Sequence, residues 1–182
     1  IDAALYDSVG GQPVGRASVN GVADDIGRMA AEIAWQLVSY RPTRGKTGWE
    51  RSPSALTQSM PALRAFLSGM EEYHDGHFAQ AATLFRSAID ADTTFALAYH
   101  YLARAANWNG DYGLELFATQ RAFVHIDRLS HLDQLMVRTW QAYLHGEPEE
   151  AERLSRLILI NEPGMGDAWF ALGEVRFHFG GP

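Results

Sequence analysis

The stretch that decides the fold is residues 69–92, GMEEYHDGHFAQAATLFRSAIDAD. Small residues at positions 69, 81 and 88 let two antiparallel helices approach closely, and phenylalanines at 78 and 85 fill the space toward the next helix pair. A turn glycine then recurs at intervals of 34, 36 and 34 residues, at Gly76, Gly110, Gly146 and Gly180. This periodicity predicts a chain built from repeated helix–turn–helix units.

The period and the small/large spacing resemble the tetratricopeptide repeat (TPR), whose unit has about 34 residues. The resemblance implies a mostly α fold, an antiparallel helix-pair superhelix of about 3.5 repeats. The second unit departs from the pattern, because Glu115 and Thr119 stand at packing positions and Thr139 replaces a small residue in the helix that follows. Helices are predicted at about 60–74, 78–91, 95–108, 112–126, 132–144, 148–162 and 168–179.

Residues 1–39 are predicted to form a small ββα piece of an α/β domain. Two strands contain Leu5 and Tyr6, and Val14, Ala17 and Val19, with Gly10-Gly11 at the turn. A helix is predicted to begin at Asp24 and to bury an apolar stripe, which comprises Ile26, Met29, Ala30, Ile33, Ala34 and Leu37. A self-contained cap on the repeat array is the alternative interpretation.

Residues 40–58 are predicted to be a linker and residues 59–182 the repeat domain. The segment RPTRGKTGWERSP has two prolines and two glycines and lacks apolar periodicity. Its Gly45-Lys46-Thr47 is similar to the end of a phosphate-binding loop, but Tyr40 occupies the place of the required earlier glycine. We therefore expect no nucleotide site here.

Composition excludes several classes of function. The formal charge of −7, from 15 basic and 22 acidic residues, argues against a nucleic-acid-binding surface. The chain has no cysteine, which excludes disulfides and thiolate chemistry. No apolar run reaches the ~18 residues needed to cross a bilayer. Ile1 is not an initiating methionine, and Phe170, Phe177 and Phe179 lie in a last helix without a partner, so we expect a segment of a longer protein.

A wider resemblance rests on residues 1–38, on Ala62–Gly69 (ALRAFLSG), and on Ala88–Asp92 (AIDAD) leading into Phe95–Tyr99 (FALAY), with a further similarity at residues 168–174 (AWFALGE). These pieces resemble the C-terminal TolB-like and TPR region of bacterial serine/threonine kinases, adenylate cyclases and transcriptional activators. The resemblance implies a signalling context. It carries no catalytic role to these residues, because the kinase motifs HRD and DFG are absent.

No pattern of residues indicates catalysis or a cofactor. His74 and His77 flank a turn without further ligands, whereas zinc needs three or four. The carboxylate pairs Glu71-Glu72 and Glu149-Glu150 are adjacent on helices and point in different directions. We therefore expect neither a metal, nor a cofactor, nor enzymatic activity in this segment.

The predicted site is a concave groove lined by the first helix of each unit. With the turn glycines as register, its lining is aromatic and nearly uncharged, which is typical of surfaces that bind protein segments. The alternative interpretation is that these aromatic residues belong partly to the core or are covered by segments of the protein outside residues 1–182. The lining comprises Phe66, Met70, Tyr73 and His74 in unit 1, His100, Arg104, Asn107 and Trp108 in unit 2, Met136, Trp140 and Tyr143 in unit 3, and Phe170, Glu174, Phe177 and His178 in unit 4.

This lining favours an extended or helical peptide with apolar anchors over an acidic tail, since Phe66 and Met70 occupy the first positions of the basic clamp that other repeat proteins use for carboxylates. The predicted function is a non-catalytic interaction or sensory module of a signalling protein. A small-molecule sensor and a part of a kinase or cyclase polypeptide are the alternatives. A homo-oligomer is compatible with the sequence. The location would be extracytoplasmic if the module is attached to a transmembrane kinase, and cytoplasmic otherwise.

Overall fold

The computed structural model describes residues 1–6, 13–22, 26, 29–30, 33 and 57–180. Residues 57–180 form seven α-helices joined by short turns. They are α1 (Met60–His74), α2 (Phe78–Ala91), α3 (Ala96–Trp108), α4 (Tyr112–Val124), α5 (His131–Leu144), α6 (Pro148–Asn161) and α7 (Gly166–Phe179). Each helix packs against the next along the chain. This is a TPR-like helical repeat of three helix pairs, α1/α2, α3/α4 and α5/α6, followed by α7.

Polar side chains fix where three of the helices begin. Ser59 accepts a hydrogen bond from the Ala62 amide at 3.3 Å, and Asp111 Oδ1 accepts one from the Leu114 amide at 3.0 Å. Ser130 caps α5 by accepting from the Asp133 amide at 3.2 Å. Each cap satisfies an amide that the first turn of a helix leaves without a partner.

Three of the four predicted turn glycines end a first helix in the left-handed region. Gly76, Gly110 and Gly146 have φ values of 82°, 71° and 72°. The residue after each glycine donates its amide back into the helix, as His77 does to the Glu72 carbonyl at 2.8 Å. Gly180 differs from the prediction, because it follows α7 with extended backbone at φ −67° and ψ 124°.

Close approach of α1 and α2 explains the glycine in α1. A Cβ added to Gly69 would lie 2.7 Å from Cε1 of Phe85, a distance that real Cβ atoms do not tolerate. The equivalent Gly173 in α7 has no neighbouring heavy atom within 4 Å of such a Cβ. Packing therefore requires a glycine at position 69 in α1, whereas it does not require one at position 173 in α7.

The second pair deviates from the predicted boundaries. Phe95, which was predicted as helical, is the N-cap residue of α3, and α4 ends at Val124 instead of about residue 126. A 3₁₀ turn, Ile126–Arg128, then leads to Ser130. This turn accounts for the longer 36-residue interval between Gly110 and Gly146.

At the N-terminus, β1 (Asp2–Tyr6) and β2 (Pro13–Ser18) form the predicted antiparallel pair, with an irregularity in register between Leu5 and Tyr6. Ala17, Val19, Met29 and Ile33 bury one another. Ile26 was predicted in the buried stripe but is 57% exposed.

Several features of the N-terminal prediction lie outside the described residues. They are the Gly10-Gly11 turn, the Asp24 cap, Ala34, Leu37 and nearly all of the linker. The domain boundaries at 39 and 58 therefore stay predictions.

Candidate ligand-binding surface

The inner surface is defined here as the side of the repeat formed by the first helices α1, α3, α5 and α7. Side chains from three of these helices meet there, since Arg104 of α3 contacts Trp140 of α5 and Phe170 of α7. The register predicted from the turn glycines thus brings these three residues together. Not all of the predicted lining residues are exposed, however.

Several predicted lining residues are enclosed in the protein. Phe66 is 1% exposed and packs on the rings of Phe85, Phe95 and Tyr101, with centroid distances of 5.7, 4.9 and 5.8 Å. His100, Met136 and Trp140 are likewise buried, at 4%, 4% and 1%. Because successive first helices lie close to their neighbours, these positions fill the space between helices and are not free to contact a ligand.

Arg104 is the centre of the buried part of the inner surface. Its guanidinium lies 4.2 Å from the centroid of Trp140 and 4.5 Å from that of Phe170, and these two centroids are 6.2 Å apart, too close together for the rings to lie on opposite sides of the group. Its Nη2 is 3.8 Å from Oδ1 of Asp167, and the side chain is 2% exposed. Nε and Nη1 have no hydrogen-bond partner among the described residues. Cation–π contacts with these two rings, together with the carboxylate of Asp167, hold this charge and tie α3 to α5 and α7.

Glu115 of α4 adds a second buried charge behind this surface. It is 1% exposed and accepts a hydrogen bond from Nε1 of Trp140 at 3.0 Å. Burial raises the pKa of Glu115 above its ordinary value of 4.5, whereas hydrogen bonds from Asn107 and Trp140 and the charge of Arg104 oppose that shift. The carboxylate thus receives donors from α3 and α5 together.

Trp108 is the largest predicted residue that stays accessible in the centre of the inner surface. It is 48% exposed, and its ring stacks on Phe78 with a centroid distance of 5.0 Å and an interplanar angle of 6°. A second ring, Phe170, lies 5.0 Å away at 41°. These two contacts hold the indole in one orientation while leaving one side of it open.

The remaining predicted residues are partly or fully accessible. Tyr143 donates to Oε2 of Glu174 at 3.4 Å, and that carboxylate lies 3.6 Å from Nε2 of His178. Burial and the nearby Glu174 raise the pKa of Tyr143 to about 12, so this hydroxyl stays a donor. Phe177 is 80% exposed. Met70, Tyr73, Asn107 and Phe170 are half-buried, and His74 is exposed.

Two residues of this surface escaped the sequence prediction. Tyr101 donates its hydroxyl to Oδ2 of Asp167 at 3.3 Å, which links α3 to the first turn of α7. Both residues stand outside the positions that the repeat register assigns to the groove. Nothing in the repeat pattern marks this contact, because Tyr101 and Asp167 are 66 positions apart in sequence.

Neither a metal cluster nor a membrane span is found in the described part of the chain. Within it, no group of three histidine, aspartate or glutamate side chains could hold a metal ion. His77 instead pairs its Nδ1 with Oε2 of Glu72 at 2.8 Å. None of the described helices combines the length and apolar character that crossing a bilayer requires.

Comparisons with known proteins find similarity only at the level of solved structures. No family model matches the sequence, and no curated protein matches it. Among solved structures, the first TPR domain of Spaghetti (RPAP3) bound to the HSP90 peptide SRMEEVD is 17% identical, with a TM-score of 0.48 over 70% of this chain and 98% of that one. The Arabidopsis OM64 TPR domain is 17% identical, with a TM-score of 0.47 over 66% of this chain and 98% of that one.

A third solved structure is the second TPR domain of human RPAP3 in complex with the HSP70 peptide SGPTIEEVD. It is 21% identical, with a TM-score of 0.45 over 64% of this chain and 96% of that one. The likeness concerns the fold alone. The helix pairs and turn geometry described above define this chain as a TPR-like helical repeat.

Proposed function

We propose that the repeat region is a non-catalytic protein-interaction module whose inner surface binds a peptide segment with apolar or aromatic anchors. The observation that supports it is Trp108, an indole half-open to solvent and held by rings on two sides. A large aromatic side chain that is already fixed gives contact area at little further cost in conformational entropy, and such residues dominate binding energies.

The chemistry around Trp108 favours apolar anchors over an acidic tail. Arg104, one helical turn before Trp108 on α3, packs against Trp140 and Phe170 and is 2% exposed. The accessible polar groups elsewhere on the inner surface include the carboxylate of Glu174 and the hydroxyl of Tyr143, whose pKa of about 12 keeps it protonated. A ligand carboxylate would be repelled by Glu174, whereas an apolar side chain would pack on the open part of Trp108.

A displayed library of random 12-residue peptides, selected on the full chain, tests this proposal. We expect the selected peptides to share spaced apolar or aromatic residues. Trp108→Ala should weaken their binding by roughly 30-fold, the effect of removing an interface hot spot of about 2 kcal/mol. The readout is fluorescence anisotropy of a labelled selected peptide, with circular dichroism to verify that the variant keeps its helices.

Phe117→Ala is the matched control, because Phe117 is 53% exposed but lies on α4, away from the inner surface. Its affinity for the selected peptide should equal that of the unsubstituted chain. Selection of peptides that share only acidic C-termini would contradict the proposal, as would unchanged binding by Trp108→Ala.

We further propose that this module belongs to a larger bacterial signalling polypeptide. The support is the resemblance of residues 62–69 and 88–99 to the TPR regions of kinases, cyclases and transcriptional activators. In such a protein, peptide capture on the inner surface would change the placement of an attached output domain. The coding sequence on either side of residues 1–182 tests this proposal. The absence of a kinase, cyclase or DNA-binding domain there would overturn it.

A further inference from the structure

Two buried donor groups of Arg104 have no hydrogen-bond partner in the described part of the chain. They are Nε and Nη1, and the whole side chain is 2% exposed. Proteins pair nearly all of their buried donors, because an unpaired donor has lost its water without gaining a partner. An acceptor supplied by a ligand would therefore gain more free energy here than at an exposed donor.

Phe170 of α7 is the partly exposed ring that lies against Arg104. Its centroid is 4.5 Å from the guanidinium, whereas Trp140, the other ring in contact, is itself 1% exposed. Phe170 also lies 5.0 Å from the half-open ring of Trp108. Turning the Phe170 side chain away would therefore join the open side of Trp108 to the unpaired donors of Arg104.

The equivalent residue of the first unit is held more firmly than Phe170. Phe66 stands 104 positions earlier and has the same distance in sequence to its turn glycine. It is 1% exposed, and the rings of Phe85 and Phe95 pack on it from α2 and from the start of α3. Phe170 is half-buried, with ring neighbours on α3 and α5. Phe66 is thus a core residue, whereas Phe170 lies where its side chain can change conformation.

The charges around Arg104 favour an uncharged acceptor. Oδ1 of Asp167 lies 3.8 Å from Nη2 of Arg104. Burial raises the pKa of Glu115, and the nearby charge of Arg104 opposes that rise. Two carboxyl groups therefore already share this one guanidinium. A ligand carboxylate would add a further negative charge, whereas a backbone carbonyl or a side-chain amide would accept from the free donors without adding charge.

We propose that an aromatic side chain of the bound peptide displaces Phe170, and that Arg104 then donates to an uncharged carbonyl oxygen of that peptide. The inference rests on the proposed function, since the displaced ring lies against Trp108. Exchange of one aromatic ring for another conserves the ring and cation–π contacts, so a hydrogen bond to Nε or Nη1 is the net gain. The ligand is a peptide whose aromatic residue has no carboxylate beside it.

N-acetylphenylalaninamide tests this site, because it combines an aromatic ring with two uncharged carbonyl groups. We expect it to bind Phe170→Ala on the order of 10-fold more tightly than the unsubstituted chain, since it no longer has to displace a ring. Ligand-detected NMR titration measures both affinities, and circular dichroism verifies the helices. Phe179→Ala is the matched control, because it removes a ring of α7 that contacts Tyr143 and should leave the affinity unchanged. An equal or lower affinity of Phe170→Ala overturns the proposal.

The guanidinium protons of Arg104 report the hydrogen bond and need no substitution of Phe170. In side-chain ¹H–¹⁵N spectra, which Arg104→Lys assigns, saturation with N-acetylphenylalaninamide should move these resonances downfield. Nε of Arg153 already donates to Glu150 at 2.6 Å, so its resonance is the internal control and should stay in place. Arg104 resonances that all stay in place at saturation overturn the proposal, as does an equal movement with toluene, which has the ring but no carbonyl group.

This inference and the proposed function can fail separately. Peptides from the displayed library that need Trp108, but bind the unsubstituted chain and Phe170→Ala equally, would overturn the displacement of Phe170 and leave the proposed function intact. Unchanged peptide binding by Trp108→Ala would overturn both, because the anchor would then lie away from the inner surface.

Discussion

The first and second helix pairs share one geometry but use different chemistry at equivalent positions. In α2 the packing residues are Ala81 and Phe85, both fully buried, and Phe85 lies directly over Gly69. Thirty-four residues later the same positions are Glu115 and Thr119, at 1% and 4% exposure. The second pair therefore buries a carboxylate and a hydroxyl where the first buries a methyl group and a phenyl ring.

This difference between apolar and polar packing residues determines which contacts each helix pair makes with the following helices. Phe85 stabilises the first pair by filling the space between its helices with a closely packed ring. Glu115 requires donors, and its Trp140 partner lies in the next unit, 25 positions on. Trp140 in turn stacks on Arg104. Both pairs contact the next unit, since the ring of Phe85 lies 5.9 Å from that of Tyr101, but the polar pair also needs a hydrogen-bond donor from α5.

Removing the phenyl ring of the first pair should have the largest effect on stability. Phe85→Ala opens a cavity under Gly69 and beside Phe66, and should lower the free energy of unfolding by about 3–5 kcal/mol. Urea unfolding followed by circular dichroism measures it. Ile160→Ala, at a 76%-exposed position of α6, is the control and should change stability by less than about 0.5 kcal/mol. A loss below about 1 kcal/mol for Phe85→Ala would show that the first pair does not rely on this ring.

Removing one donor from the second pair should have an intermediate effect. Trp140→Phe keeps most of the ring but deprives the buried Glu115 of the Nε1 hydrogen bond, at a cost of about 1–3 kcal/mol. Trp169→Phe is the control, because Nε1 of Trp169 donates to the Pro163 carbonyl at 2.8 Å but that side chain is 56% exposed. Water can replace this second bond. Equal losses in the two variants would contradict the view that burial makes the Glu115 bond costly to lose.

The smallest effect is a pH dependence specific to the second pair. Burial raises the pKa of Glu115 in the folded protein above 4.5, so the folded state binds more protons than the unfolded state between 4.5 and that raised value. The stability that this group contributes is therefore present below pH 4.5 and lost as the pH rises through the folded-state pKa. Glu115→Gln lacks this loss.

Unfolding free energies of the unsubstituted chain and of Glu115→Gln should therefore diverge as the pH rises. The expected divergence is on the order of one hydrogen bond, ~1 kcal/mol, with Glu115→Gln gaining relative to the unsubstituted chain. Tyr143 does not contribute in this pH range, because its pKa is raised to about 12 and the hydroxyl stays protonated. A difference that is constant with pH, or one that shrinks as the pH rises, would show that Glu115 is not held in a raised-pKa state.

Much of the repeat could be predicted from local patterns. Gly76, Gly110 and Gly146 end their helices with positive φ, as their spacing predicted. The fourth, Gly180, has the same sequence interval but extended backbone. A glycine permits a left-handed conformation and does not impose one, so the spacing alone could not distinguish Gly180 from the other three.

The predicted groove residues fall into a buried group and an exposed group, and the sequence could not distinguish the two for a similar reason. Phe66, Trp108 and Trp140 all belong to the predicted lining, ten, two and six residues before their turn glycines, yet they are 1%, 48% and 1% exposed. Their exposure depends on what the neighbouring helices contribute, such as Tyr101 against Phe66 and the Arg104 guanidinium against Trp140. Those contacts join different units and cannot be read from any one repeat.

The sequence by itself determined the helices, their turns and their pairing, because these depend on residues within one unit: an apolar period, a cap and a turn glycine. Only the tertiary structure decided which of the aromatic residues are open, where Glu115 finds its donors, and that Phe170 lies against both Trp108 and Arg104. Those properties arise from contacts between units, where burial and electrostatic interaction are set by side chains that are distant in sequence.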